Sequence, residues 1–295
     1  LPPFLSAFAL EAAVLATRCD AIVAHWLLPM GAVGALVASM TSRPLRLVAH
    51  SGPPAVARVP PLSGLVRSIA GMATSIACVS ESVAGEVRRV TGDRARLVAI
   101  PLGVDLRPIA LDPPSRRAVR RVLFAGRLVP LKGVDVLLRA LAGLRGVELT
   151  VAGEGPEAGR LQDLARRLGV PARFVGVLPR EEILQAMSAA DVLAVPSRIG
   201  RGGRVEGLPR VIPEAWSCGL PVVATSAGGS GEALSLRGGG LLALPGDPGD
   251  LRRALRAALE DPDLRDRMRS EAIAAAAALS WDVVGERWAD WARKG

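Results

Sequence analysis

The stretch Phe124-Ala-Gly-Arg127-Leu-Val-Pro-Leu-Lys132-Gly133 sets an arginine and a lysine five residues apart in a glycine-bounded loop. A planar guanidinium fork and a compact ammonium so spaced suit a shared anion, although a solvated surface pair competes with that reading. Lysine is rare here: Lys132 and Lys294 are the two among 37 basic residues, leaving 35 arginines. A second stretch, Glu206-Gly-Leu-Pro-Arg-Val-Ile-Pro-Glu214, carries two carboxylates eight residues apart. A wholly helical connection would separate them by about 12 Å. Carboxylates that flank one glycosidic bond stand roughly 5–9.5 Å apart, so this pair better suits two parts of one long ligand. His25 and His50 are the only histidines, each at the end of an apolar run, AIVAHW and LRLVAH. For both, a structural role competes with a ligand-facing one.

The elements that must position these residues read as alternating strands and helices. From Arg121 onward, RVLFAG, VELTVAG, RFVG, DVLAVPS and PVVAT are short apolar runs separated by helical patterns such as VDVLLRALAGL and EAGRLQDLARRLG. That rhythm predicts parallel strands with crossover helices, a doubly wound sheet. Arg127 and Lys132 then follow a strand and precede a helix, at the carboxyl end of the sheet, where open α/β folds bind ligands. Gly169 and Gly219 read as helix ends, and Asp247-Pro248 as a capped helix start. Pro213 falls inside the helix expected to begin near Pro209, where it would delete an early backbone hydrogen bond and tilt Glu214.

AIVAHW, LRLVAH, SIACVS and RLVAIP predict a second, shorter α/β region in the first 110 residues. Residues 106–118, LRPIALDPPSRRA, read as a linker. The expected domains are therefore 1–112 and 113–279, followed by a helix over 280–295, with Ser280 as its cap and Trp281, Trp288 and Trp291 on an apolar face.

Composition bounds the function. The 295 residues are 50% hydrophobic and 22% charged, a globular chain large enough for two ordinary cores. The net charge of +9 is dispersed and aromatics are 3%, which argues against a nucleic-acid surface. Attraction to an anionic membrane surface is compatible with the charge. Cys19, Cys78 and Cys218 have neither disulfide-framework nor zinc spacing, which fits a reducing, cytoplasmic compartment. The apolar stretch from Ala21 to Ser42 is interrupted by Pro29, Gly31 and Gly34, so a buried strand and helix are expected there rather than a membrane span. The glycine turns at Gly153-Glu-Gly155 and Gly228-Gly229-Ser-Gly231 form neither a dinucleotide fingerprint nor a Walker loop.

Taken in order, GRLVPLKG, AGEGPE, DVLAVPS, EGLPRVIPE and SCGLPVVAT followed by GG resemble the retaining group 1 or family 4 glycosyltransferases of bacterial polysaccharide and glycolipid synthesis. The resemblance runs from about residue 20 to the end. It implies a GT-B fold, two Rossmann-like doubly wound domains facing a cleft, with an incomplete N-terminal domain. It implies a hexosyl-type transfer from a UDP- or GDP-linked sugar to a glycan or lipid-linked acceptor, with retention of anomeric configuration and without a metal or further cofactor. By the same resemblance, Arg127 and Lys132 bind the donor diphosphate. Glu206, with Gly207 and Leu208 beside it, holds the transferred sugar, Glu214 the ribose, and Val177 lies by the base. His50 matches a histidine that faces the donor sugar.

The resemblance places the enzyme in the cytoplasm, in peripheral contact with the membrane's inner face. It also implies some tens of residues before AIVAHW. Their absence leads us to expect an exposed sheet edge and a formed donor site with weak turnover. The readings that compete are a nucleotide-sugar epimerase or hydrolase and a catalytically impaired nucleotide-sugar-binding fragment.

Overall fold

A computed structural model of the chain describes residues 9, 12, 13, 15–53, 59–106, 119–200, 203 and 205–294. Most of the expected linker, from residue 107, lies outside the described residues, as does the boundary expected at 112. The chain divides into two units, one of residues 1–102 with 284–295 and one of residues 103–283.

The first unit is built on four parallel strands in chain order, β1 (Ile22–His25), β2 (Leu45–Ala49), β3 (Ala73–Cys78) and β4 (Arg96–Ala99). All five residues of β2 are buried, as expected of an inner strand covered on both faces. Among the described residues β1 pairs with β2 alone and so forms an edge. The crossovers are α1 (Met30–Thr41), α2 (Leu62–Met72) and α3 (Glu81–Thr91). Ser80 caps α3 by accepting a hydrogen bond from the Val83 N–H at 3.1 Å, and Arg88 and Arg89 sit in its last turn. The core gathers Leu47, Ile76, Val66, Ile69, Val83 and Val87. The apolar stretch from Ala21 to Ser42 resolves into β1 and the twelve-residue α1. No helix among the described residues is long and apolar enough to cross a membrane.

The second unit holds six parallel strands: β5 (Arg120–Ala125), β6 (Val147–Ala152), β7 (Ala172–Gly176), β8 (Val192–Val195), β9 (Val222–Thr225) and β10 (Gly240–Ala243). Their order is β10-β9-β8-β5-β6-β7. The chain lays down β5 to β7 in one direction, returns, and lays down β8 to β10 in the other. The seam between β5 and β8 is thus a topological switch point, where the crevice of an open α/β sheet forms. The connecting helices are α4 (Val134–Leu141), α5 (Ala158–Arg167), α6 (Arg180–Ala189), α7 (Val211–Ser217), α8 (Gly229–Arg237), α9 (Pro248–Glu260) and α10 (Pro262–Ala278). Phe124, Leu137, Leu138, Leu149, Val151, Leu251 and Leu255 form the core. Asp247 caps α9 as expected, accepting from the N–H groups of Gly249 and Asp250, with Pro248 in first position.

Helix α7 spans Val211–Ser217, and its first turn starts near Pro209 as expected: Arg210 already has helical dihedrals and the Ile212 N–H donates to the Pro209 carbonyl at 3.0 Å. One local expectation is corrected. In the last helix, α11 (Trp281–Lys294), the three tryptophans do not share one buried face. Trp291 is buried and packs edge-on against Trp288 at 5.6 Å, whereas Trp281 is 44% exposed and lies over Gly103. From Val284 on, the helix groups with the first unit. There the Trp288 Nε1–H donates to the Pro101 carbonyl at 2.9 Å and Arg46 to the Arg293 carbonyl at 3.1 Å.

Candidate active site at the sheet switch point

The loops that leave β5, β6, β8 and β9 at their carboxyl ends are clasped backbone to backbone, and glycine makes each clasp fit. At Gly133, which follows a 3-10 turn over Pro130–Lys132, φ is +66° and a Cβ would stand 2.0 Å from the Pro196 carbonyl oxygen. Residues with a side chain are excluded there on both counts. Gly153 meets the Gly126 carbonyl oxygen in the same way, and the Leu128 N–H donates to the Glu154 carbonyl at 2.8 Å. On the other side of the seam, Gly228 and Gly229 close on the Glu206-Gly207-Leu208 backbone, with the Gly229 N–H donating to the Glu206 carbonyl at 3.1 Å.

These clasps bring Lys132 and Glu206 together. Lys132 Nζ lies 2.6 Å from Glu206 Oε1, each side chain 19% exposed. The other carboxylate oxygen accepts a hydrogen bond from Ser197 Oγ at 2.7 Å, and the Thr225 hydroxyl donates to the Ser197 carbonyl. Both oxygens of Glu206 are thus engaged and its orientation is fixed. Lys132 reaches it across the β5–β8 seam, its Cε 3.6 Å from where a Cβ of Gly126 would stand. Behind the pair, Arg198 and Asp135 bridge the same two loops at 2.6 Å.

The remaining expected residues of this unit make no ion pair or side-chain hydrogen bond with Lys132 or Glu206 among the described residues. Arg127 is exposed and makes no ion pair or side-chain hydrogen bond among the described residues. Glu214 is on α7 with its side chain 29% exposed and Arg210 at 4.0 Å. Burial pushes its carboxyl up from the ordinary value, and the nearby Arg210 and Arg180 charges oppose this. Gly207 is buried and Leu208 half-buried. Val177 is 68% exposed just past β7, two strands along the sheet from β5.

In the first unit, His50 follows β2 and His25 ends β1. Their rings stack at 5.1 Å, with His25 Nδ1 and His50 Nε2 2.8 Å apart, and Trp26 lies 5.2 Å from His50. Burial, then the His25 charge, holds the His50 imidazole below its ordinary pKa. The sequence assigns a role to His50 alone of the two histidines, and none to Trp26, Ser197, Thr225, Asp135 or Arg198. The signal for Ser197 was its place at the end of DVLAVPS, the strand abutting β5. For His25 it was that two adjacent parallel strands both end in histidine.

Two parallel-sheet α/β units, the second with a cation and a carboxylate at the switch point of its sheet, define a Rossmann-like protein of the GT-B fold. The chain belongs to the family described as "Glycosyl transferases group 1", whose model matches residues 113–275; "Glycosyltransferase Family 4" matches residues 1–107. It is 32% identical over 205 residues to a GDP-mannose-dependent monoacylated alpha-(1-6)-phosphatidylinositol monomannoside mannosyltransferase of Corynebacterium glutamicum, covering 64% of this chain and 54% of that one. It is 35% identical over 218 residues to a D-inositol 3-phosphate glycosyltransferase of Nocardia farcinica, covering 66% and 46%. The chain thus spans about half the length of these curated relatives. Among solved structures, Anabaena HepE in complex with UDP superposes with a TM-score of 0.85 at 24% identity, covering 97% of this chain and 82% of that one.

Proposed function

We propose that this chain transfers a hexosyl-type group from a UDP- or GDP-linked sugar to a glycan or lipid-linked acceptor, with retention of anomeric configuration. The observation that carries the reading is the Lys132–Glu206 pair at the switch point of the second unit's sheet, with Arg127 exposed on the same loop as Lys132. The names of the relatives favour a nucleotide-linked donor, and those of the curated ones a phosphoinositol-type acceptor.

Cleaving the bond between sugar and diphosphate leaves negative charge on the leaving phosphate. Arg127 and Lys132 stabilise that charge, and they do so more in the transition state than in the bound donor, which is what accelerates the reaction. Two cations supply the neutralisation that a divalent metal supplies elsewhere, so the proposal requires no metal or further cofactor. Glu206, held by Ser197, accepts hydrogen bonds from hydroxyls of the transferred sugar, with the Gly207 and Leu208 backbone beside it. Glu214 accepts from the ribose hydroxyls, and the loop at Val177 borders the base. We assign His50, steadied by His25, to sugar hydroxyls. The acceptor hydroxyl attacks from the face the diphosphate leaves and passes its proton to the departing phosphate oxygen, so no protein nucleophile is required. We place the reaction in the cytoplasm, at the inner face of the membrane.

Calorimetric titration of the purified chain with UDP and GDP tests the donor site. One nucleotide should bind, and Lys132→Ala and Arg127→Ala should each weaken it at least about tenfold, the scale of one charge-assisted contact. Binding unchanged in both variants overturns the reading. Product NMR at the anomeric carbon then tests retention.

A further inference from the structure

The amino-terminal end of the second unit's sheet, opposite the site above, gathers arginines in excess of their partners. A cavity of about 470 Å³ opens there between the start of β5, the α4–β6 loop and the end of α9, lined by Arg120, Arg145, Arg256, Glu260, Gly143 and Leu259. Arg265 lies behind it, 4% exposed, donating from Nη1 to the Ala258 and Leu259 carbonyls at 3.1 and 3.0 Å. These bonds cap the end of α9 and account for one nitrogen of its guanidinium. Its Nε is buried without a partner, and so are Arg120 Nη1 and Arg269 Nε.

The carboxylates present do not satisfy these groups. Asp191 accepts from the Arg121 N–H at 2.7 Å and leaves Arg120 Nη1 3.9 Å away, outside hydrogen-bond reach. Glu260 is taken up by Arg256 at 3.1 Å. Asp266 acts on Arg265 but is exposed. Arg145 is exposed and makes no ion pair among the described residues. Burial, and next the Arg120 charge, push the Arg265 pKa down from its ordinary value. A buried guanidinium, Arg265, next to the half-buried Arg120 and near an open cavity, is poorly compensated by the protein alone.

We propose that this cavity is a second, separate anion site, which takes a phosphate group between Arg120, Arg145 and Arg256. A phosphate dianion offers acceptors to several guanidinium forks at once, and the cavity has the size of an ordinary small-molecule site. The phosphate is carried either by a free phosphate ester or by a lipid headgroup, and the chemistry of recognition is the same for both. The site is independent of the proposed transfer reaction, being at the opposite end of the strands from Lys132.

The test is titration of the purified chain with inorganic phosphate at constant ionic strength, using Lys132→Ala and the double variant Arg145→Ala/Arg256→Ala. The two arginines are exposed, so their removal should leave the fold intact, which circular dichroism checks. Saturable binding is expected that survives Lys132→Ala and weakens at least about tenfold in the double variant. Absence of saturable binding, or binding lost with Lys132 and indifferent to the two arginines, overturns the proposal. Vesicles of phosphatidic acid in phosphatidylcholine separate the sources. Capture that phosphate competes away assigns a lipid headgroup, and phosphate binding without capture assigns a free phosphate ester.

Discussion

Glu214, proposed above to hold the ribose, carries a cost of burial. Its burial raises its pKa, so the folded chain keeps a proton over a pH range in which the unfolded chain has already lost it. Stability therefore falls as pH rises from the ordinary carboxylate value through the raised one. Glu214→Gln removes the ionisation, so the variant should melt above the parent at pH 7, with the gap closing near pH 4; an unchanged gap across that range contradicts the argument. The same variant should bind nucleotide more weakly, because an amide presents one acceptor where the carboxylate presents two. His25 and His50 are coupled differently. At 2.8 Å one ring must donate and the other accept, so the pair holds together while at least one of them is neutral.

At the scale of elements, the site depends on loops touching where side chains cannot fit. Gly133→Ala adds a Cβ 2.0 Å from the Pro196 carbonyl oxygen at φ +66°, and both the clash and the left-handed backbone penalise it. A loss of about 3 kcal/mol is expected in denaturant unfolding, together with weakened nucleotide binding, since Lys132 is the preceding residue. These contacts also mark what was legible in advance. The strands, the helix caps at Ser280 and Asp247 and the strand-end position of Lys132 could be read because alternation, capping and strand ends are local signals. The clasp of Gly133 on Pro196 and the pairing of Lys132 with Glu206 join residues far apart in sequence, and no periodicity announces them.

Across the whole molecule, the thiols and the charges divide by exposure. Cys19 is exposed whereas Cys78 and Cys218 are buried, and burial pushes the Cys78 thiol up to about 12. A maleimide at pH 7 should therefore modify one cysteine quickly and the other two only after unfolding; rapid modification of all three would contradict the packing of β3 and α7. Among the described residues seven arginines pair with acids three or four residues away, as in Arg160–Glu157, Arg166–Asp163 and Arg293–Asp290, which offsets charge locally on those helix faces. The Lys132–Glu206 contact has a consequence for the reaction as a cycle. Under the proposed function, a nucleotide that recruits Lys132 has to draw it from Glu206, and the contact would re-form as the spent nucleotide departs. On that proposal the carboxylate would compete for Lys132, speeding product release at the cost of ground-state affinity. Glu206→Gln should accordingly retain nucleoside diphosphate longer than the parent while turning over far less, a trade that stopped-flow dissociation would expose directly.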